Sequence, residues 1–159
     1  MPPLASLAEH EERINAIRNE LGHVDEKYSF FISHYQAVSS DMASILDLKL
    51  SMESGYPCWF DMTRTNITEE GMVQGVLESA AFLLILVKNV FSRAWVVFEV
   101  RTAMILKKKI ILVFEQDPRF GGYAPINEIF AGAPPDIQKL MSIYEALPFR
   151  RKVHTFALR

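Results

Sequence analysis

The spacing of apolar positions switches repeatedly between a helical period and unbroken apolar runs, and these switches divide the chain into alternating elements. Residues 4–21 place Leu7, Ile14, Ile17 and Leu21 on one side of a helix whose other sides are charged, with Gly22 as its stop. From Tyr28 the texture becomes Tyr-Ser-Phe-Phe-Ile-Ser-His, rich in aromatic and β-branched residues. This predicts a first strand, followed by a polar loop over 35–40. Ser39, Ser40 and Asp41 offer caps for a helix over 42–52, closed by Gly55-Tyr56-Pro57. Cys58-Trp59-Phe60 reads as a second short strand. A polar loop over 61–68 then leads to Thr68, an N-cap for a helix over 69–80 whose Glu69 and Glu70 complement the helix dipole.

The run 81–87, Ala-Phe-Leu-Leu-Ile-Leu-Val, lacks alternation, which suits a central parallel strand buried on both faces. The helix that carries Trp95 and Glu99 follows, ending near Lys108, then an apolar strand over 110–114. A Gly/Pro-rich connection over 118–135 holds one turn of helix, and a short helix over 136–144 and a strand over 147–150 complete the pattern. Strands alternating with helices predict an α/β, flavodoxin-like three-layer sandwich around a central parallel sheet of about five strands. The extra N-terminal helix and its linker occupy residues 1–26, and the domain itself 27–159. Such sheets bind ligands beyond the carboxyl ends of their strands, where the loops at 34–40, 61–68 and 88–94 emerge.

The segment Ser-Arg-Ala-Trp-Val-Val-Phe-Glu-Val-Arg-Thr-Ala, 92–103, is apolar nearly all round, yet Trp95, Glu99 and Thr102 share one narrow sector of the helix. One reading makes that sector the solvated stripe of an amphipathic helix. The other makes a ring and a carboxylate, fed by the 88–94 loop, part of a site. Placement at the expected crevice favours the site.

Composition narrows the chemistry. With 17 basic and 19 acidic residues, and no basic block larger than Lys107-Lys108-Lys109, the chain lacks the electrostatic footprint of a nucleic-acid binder. That triplet fits a helix C-terminus. Cys58 is the one cysteine, which excludes an internal disulfide, and no Cys/His cluster has metal-ligand spacing. A reducing, cytoplasmic setting is therefore expected, and Cys58 reads as a buried small residue rather than a nucleophile. No apolar run approaches the roughly 18 residues of a membrane span, and the N-terminus lacks the layout of a signal peptide.

The residues then combine into a resemblance. Phe31-Ile32-Ser33-His34 on the first strand, Trp59-Phe60-Asp61 on the second, Leu77-Glu78-Ser79-Ala80 before the third, and Ser92-x-x-Trp95-x-x-x-Glu99 on the next helix stand in order. Over roughly residues 28–151 this set resembles a Toll/interleukin-1 receptor (TIR) domain. The resemblance is to the family's NAD-cleaving branch, which carries a glutamate at the Trp-x-x-x-Glu position. It implies that Glu99 is catalytic and that NAD+ is a substrate, not a cofactor. Products would be nicotinamide and ADP-ribose or a cyclic variant, in immune or cell-death signalling. Loss of nicotinamide leaves an oxocarbenium-like ribosyl cation that a carboxylate stabilises. Nicotinamide departs neutral, so a second, acidic carboxyl is dispensable.

By the same resemblance Trp95 supplies an aromatic wall and His34 and Tyr35 line the nucleotide pocket; Ser33, Asp61 and Arg64 are further substrate-binding candidates by their places at the strand ends and in the 61–68 loop, from which Arg64 could reach a phosphate or the next subunit. Each has a structural alternative: packing for Trp95 and Ser33, a turn cap for His34, loop-amide bonding for Asp61, and a solvated loop cation for Arg64. The family implies self-association through TIR–TIR contacts, with itself or with other TIR domains. A non-enzymatic TIR scaffold is the competing function, and a nucleoside deoxyribosyltransferase-like enzyme a more distant one. The chain departs from the family pattern in three places. The 61–71 interval is longer than the usual BB loop and lacks its proline. Val96 stands where many plant members have cysteine, so nucleic-acid-directed synthetase activity is not implied. The customary final helix has little sequence left to form it, and the N-terminal helix is a candidate to take its place.

Overall fold

A computed structural model describes residues 6–60 and 68–150. Local chemistry sets the ends of its helices. α1 (Leu7–Leu21) begins where Ser6 Oγ accepts the Glu9 N–H and ends at Gly22, whose φ of +68° L side chains rarely adopt. α2 (Gln36–Ser54) ends at Gly55 in the left-handed region. α3 (Glu69–Leu77) begins where Thr68 Oγ1 accepts the Gly71 N–H at 3.0 Å, as its sequence predicts. α4 (Ala94–Ile105), α5 (Ile126–Ala131) and α6 (Pro135–Met141) complete the set.

The strands β1 (Tyr28–Ser33), β2 (Trp59–Phe60), β3 (Ser79–Leu86), β4 (Lys109–Glu115) and β5 (Ala146–Phe149) form one parallel sheet in the order β2-β1-β3-β4-β5. This is the flavodoxin-like order, with its switch point between β1 and β3. Every residue of β3 except Ala80 is buried, as its unbroken apolar run requires. Phe31 lies opposite both Trp59 and Phe82 in register, and its ring stacks on theirs at 4.4 and 5.3 Å. Across this stack Gly75 of α3 presses on the Trp59 indole so closely that a Cβ would lie 2.7 Å from it.

Right-handed crossovers put α2 on one face of the sheet and α3, α4 and α6 on the other. Arg101 of α4 and Asp136 of α6 make an ion pair at 2.9 Å that ties two of these helices. α1 packs across α3 and α4, burying His10, Ile14 and Ile17 and joining Arg13 to Glu69 at 3.0 Å. Residues 96–103 of α4 are consequently all buried, which explains why this helix is apolar nearly all round.

Several boundaries differ from expectation. Residues 36–40 are helical rather than loop, because the Tyr35 carbonyl accepts the N–H groups of both Val38 and Ser39. Ser39 is not a cap but a kink inside α2, at φ −123° and ψ 22°, with its hydroxyl donating to Tyr35 O. α3 stops at Leu77, three residues early, because Ser79 already pairs with Tyr28 in the sheet. α4 stops at Ile105, and Lys107 turns the chain at φ +56°. The lysine triplet does serve a helix C-terminus, but that of α3: Lys108 Nζ donates to Leu77 O and Ser79 O. On α1, His10 joins the buried stripe while Leu7 is exposed.

Candidate active site

β1 ends at Ser33, on the face that α4 covers, and Glu99 is one turn beyond Trp95 on that helix. Ser33 Oγ donates to Glu99 Oε1 at 2.6 Å in a buried hydrogen bond. Glu99 is only 2% exposed and Thr102 fully buried, with the Thr102 hydroxyl donating back to Phe98 O at 2.8 Å. The solvated-stripe reading of this sector therefore fails: the carboxylate points into the protein.

It reaches a cavity of about 360 Å³, within the range of small-molecule sites. The turn from β1 into α2 contributes His34, Tyr35, Gln36 and Ala37, α3 contributes Met72, and the start of α4 contributes Arg93, Trp95, Val96 and Glu99. The cavity thus opens beyond the carboxyl end of β1, between elements that leave on opposite faces of the sheet. Trp95 is half-buried, its ring held edge-on to Phe98 at 5.8 Å. His34 stacks on Phe60 at 5.2 Å. The Arg93 guanidinium lies 4.9 Å over the Tyr35 ring.

His34, Tyr35, Trp95 and Glu99 thus line one cavity, while Ser33 does not line it and instead holds Glu99. Asp61 and Arg64 lie outside the described residues. Arg93, Met72, Gln36 and Ala37 were not singled out by the sequence, and Val96 was noted there only for standing where many plant members have cysteine. For Arg93 the signal was present, since it sits in the 88–94 loop that feeds the crevice. Met72 is carried to the cavity by tertiary packing alone.

A larger hollow of about 560 Å³ opens at the amino ends of the strands, near Tyr28, Phe30, Tyr56 and Ile111. Its Lys27 is engaged by Glu78 at 2.8 Å, and it lies at the sheet edge opposite to where ligands bind in this fold. Cys58 is buried against the Ser29 and Ser51 hydroxyls, and burial pushes its thiol up, away from the nucleophilic thiolate. Among the described residues no group of three His, Cys, Asp or Glu side chains is placed to hold a metal ion, and no helix is long and apolar enough to cross a membrane.

A buried carboxylate beside an aromatic wall is equipped to meet a ligand that carries positive charge, because Coulomb attraction strengthens as water is excluded. Comparison with known proteins places the chain in a family. A family model for the TIR domain matches residues 30–140. Among solved structures, the TIR domains of the activated Roq1 resistosome, which directly recognises the pathogen effector XopQ, are similar at a TM-score of 0.50 and 17% identity. The match covers 79% of this chain and 89% of that one. No curated protein matches the chain. With the family model spanning well over half of its length, from within β1 to within α6, the chain belongs to the TIR domain family.

Proposed function

We propose that this TIR domain is an NAD+ nucleosidase that cleaves the nicotinamide–ribose bond, releasing nicotinamide and ADP-ribose or a cyclic form of it. The observation that carries this reading is Glu99, buried at the cavity and held by the Ser33 hydroxyl. As nicotinamide departs, positive charge moves onto the ribose. A carboxylate fixed in a water-poor pocket stabilises that charge without reorganising. Trp95 forms the wall along which the ring or ribose lies, and His34 and Tyr35 line the same cavity. Water, or a nitrogen of the substrate's own adenine, captures the cation. NAD+ is consumed as substrate, and no further cofactor is invoked.

The test is incubation of concentrated protein with NAD+, following nicotinamide by chromatography. Native protein is expected to release it. Glu99→Ala and Glu99→Gln are expected to lower release at least a hundredfold, the scale of a single transition-state charge contact. Release unaffected by either substitution would overturn the role of Glu99.

The second reading is a scaffold acting through TIR–TIR contacts alone. Leu48 and Met52, one turn apart on α2, and nearby Tyr56 are 63%, 76% and 63% exposed, an apolar patch of the kind that marks interaction surfaces. Absence of nicotinamide release at any protein concentration, together with self-association, would favour the scaffold.

A further inference from the structure

We propose that Arg93 is the anion-binding residue of this cavity, taking the pyrophosphate of the substrate and so orienting it with its cationic end on Glu99. This rests on the NAD+ reading of the site and specifies how the pocket tells one end of the dinucleotide from the other.

Arg93 and Glu99 line the same cavity with opposite charge. They are six residues apart at the start of α4, about 9 Å along a helix axis. Glu99 is buried on the floor and Arg93 exposed at the rim. A ligand filling this space is asked for a cation deep inside and an anion near solvent, which in an oxidised nicotinamide nucleotide are the ring and the phosphates, separated by a ribose.

The guanidinium is held for such a role. It lies over the Tyr35 ring, a contact that satisfies no N–H group and leaves those donors to a ligand. Arg13, Arg101 and Arg119 are ion-paired, whereas Arg93 has no carboxylate partner among the described residues. Arg93 is also the N-cap of α4 with no side-chain cap bond, so the first-turn N–H groups of α4 add positive potential at the same rim.

The experiment compares native protein with Arg93→Gln and Arg93→Lys. For Arg93→Gln, the KM for NAD+ is expected to rise about tenfold, the lower end of a charge-assisted hydrogen bond, with kcat within twofold. Competitive inhibition by inorganic pyrophosphate is expected to weaken in parallel, and Arg93→Lys to restore part of both. An unchanged KM, a fall in kcat alone, or no rescue by lysine overturns the inference while leaving the role of Glu99 intact. If native protein releases no nicotinamide, the NAD+ reading falls by itself. Titration with ADP-ribose, followed through the Trp95 indole resonance, then decides the anion site. Binding lost in Arg93→Gln supports it, and no binding to native protein, or equal binding to both, overturns it.

Discussion

The bond from Ser33 Oγ to Glu99 Oε1 joins the end of β1 to the middle of α4 and aims the one carboxylate on which the proposed chemistry depends. Hydrogen bonds to charged groups are worth roughly 1.5–3 kcal/mol. Ser33→Ala is therefore expected to lower kcat for nicotinamide release about tenfold with little change in KM, and steady-state kinetics on NAD+ checks it. An equal rise in KM would mean that Ser33 contacts substrate, the alternative its place at the end of the first strand leaves open. Gly75 is the second decisive residue. A methyl there meets Trp59 at 2.7 Å, inside the Phe31 stack, so Gly75→Ala is expected to cost about 1–3 kcal/mol in urea unfolding by overpacking. Glu99 and Trp95 were legible in the sequence as helix neighbours four apart. The Ser33–Glu99 bond was not, because it spans 66 residues and no local spacing records such a distance.

At the scale of elements, α1 is the outer cover of α4, its apolar stripe packed against the domain. The stripe His10, Ile14 and Ile17 lies on α3 and α4, and the His10 ring stacks on Phe98 at 4.6 Å, the same phenyl that meets Trp95 edge-on. Arg13 meanwhile fixes Glu69 in the first turn of α3, the helix that brings Met72 to the cavity. Ile14→Ala is expected to destabilise the fold by about 2–5 kcal/mol, measured by chemical denaturation. His10 adds a pH dependence. Burial, then the nearby Arg101 and Arg13 charges, lower its pKa from 6.5 to about 4, against an opposing pull from Asp136. Above pH 6.5 both folded and unfolded chains hold it neutral, and its effect on stability is nil. Between 6.5 and 4 the unfolded chain binds a proton that the folded one does not, so stability falls as pH drops through this window and levels off below it. The full loss is about 3 kcal/mol. Urea midpoints at pH 7.5 and 4.5 should differ for native protein, and His10→Phe should flatten that difference.

For the molecule as a whole, the sheet order and its crossovers turn separate sequence segments into one cavity, and ties between helices hold its walls. Arg101 donates to both carboxylate oxygens of Asp136, at 2.9 and 3.1 Å; burial pushes that carboxyl up, and the two bonds, the Arg101 charge and backbone N–H groups together more than offset it, holding it below the usual carboxylate range. If self-association uses the exposed α2 patch, replacing both Leu48 and Met52 with lysine should leave the fold intact and abolish concentration-dependent oligomers in sedimentation. Sequence alone determined what is local or periodic: the alternation of strands and helices, the Thr68 cap, the Gly22 and Gly55 stops, the buried central strand and the Trp95–Glu99 pair. Each follows from backbone sterics and the burial of apolar faces, which act over a few residues. Tertiary structure decided what depends on contacts across the chain. It turned residues 36–40 from loop into helix, closed α3 early by pairing Ser79 with Tyr28, and used Lys108 to cap a helix far from it in sequence. It also made Glu99 a buried group instead of a solvated one, because α1, α3 and the sheet together exclude water from a helix whose own sequence leaves open which side is covered.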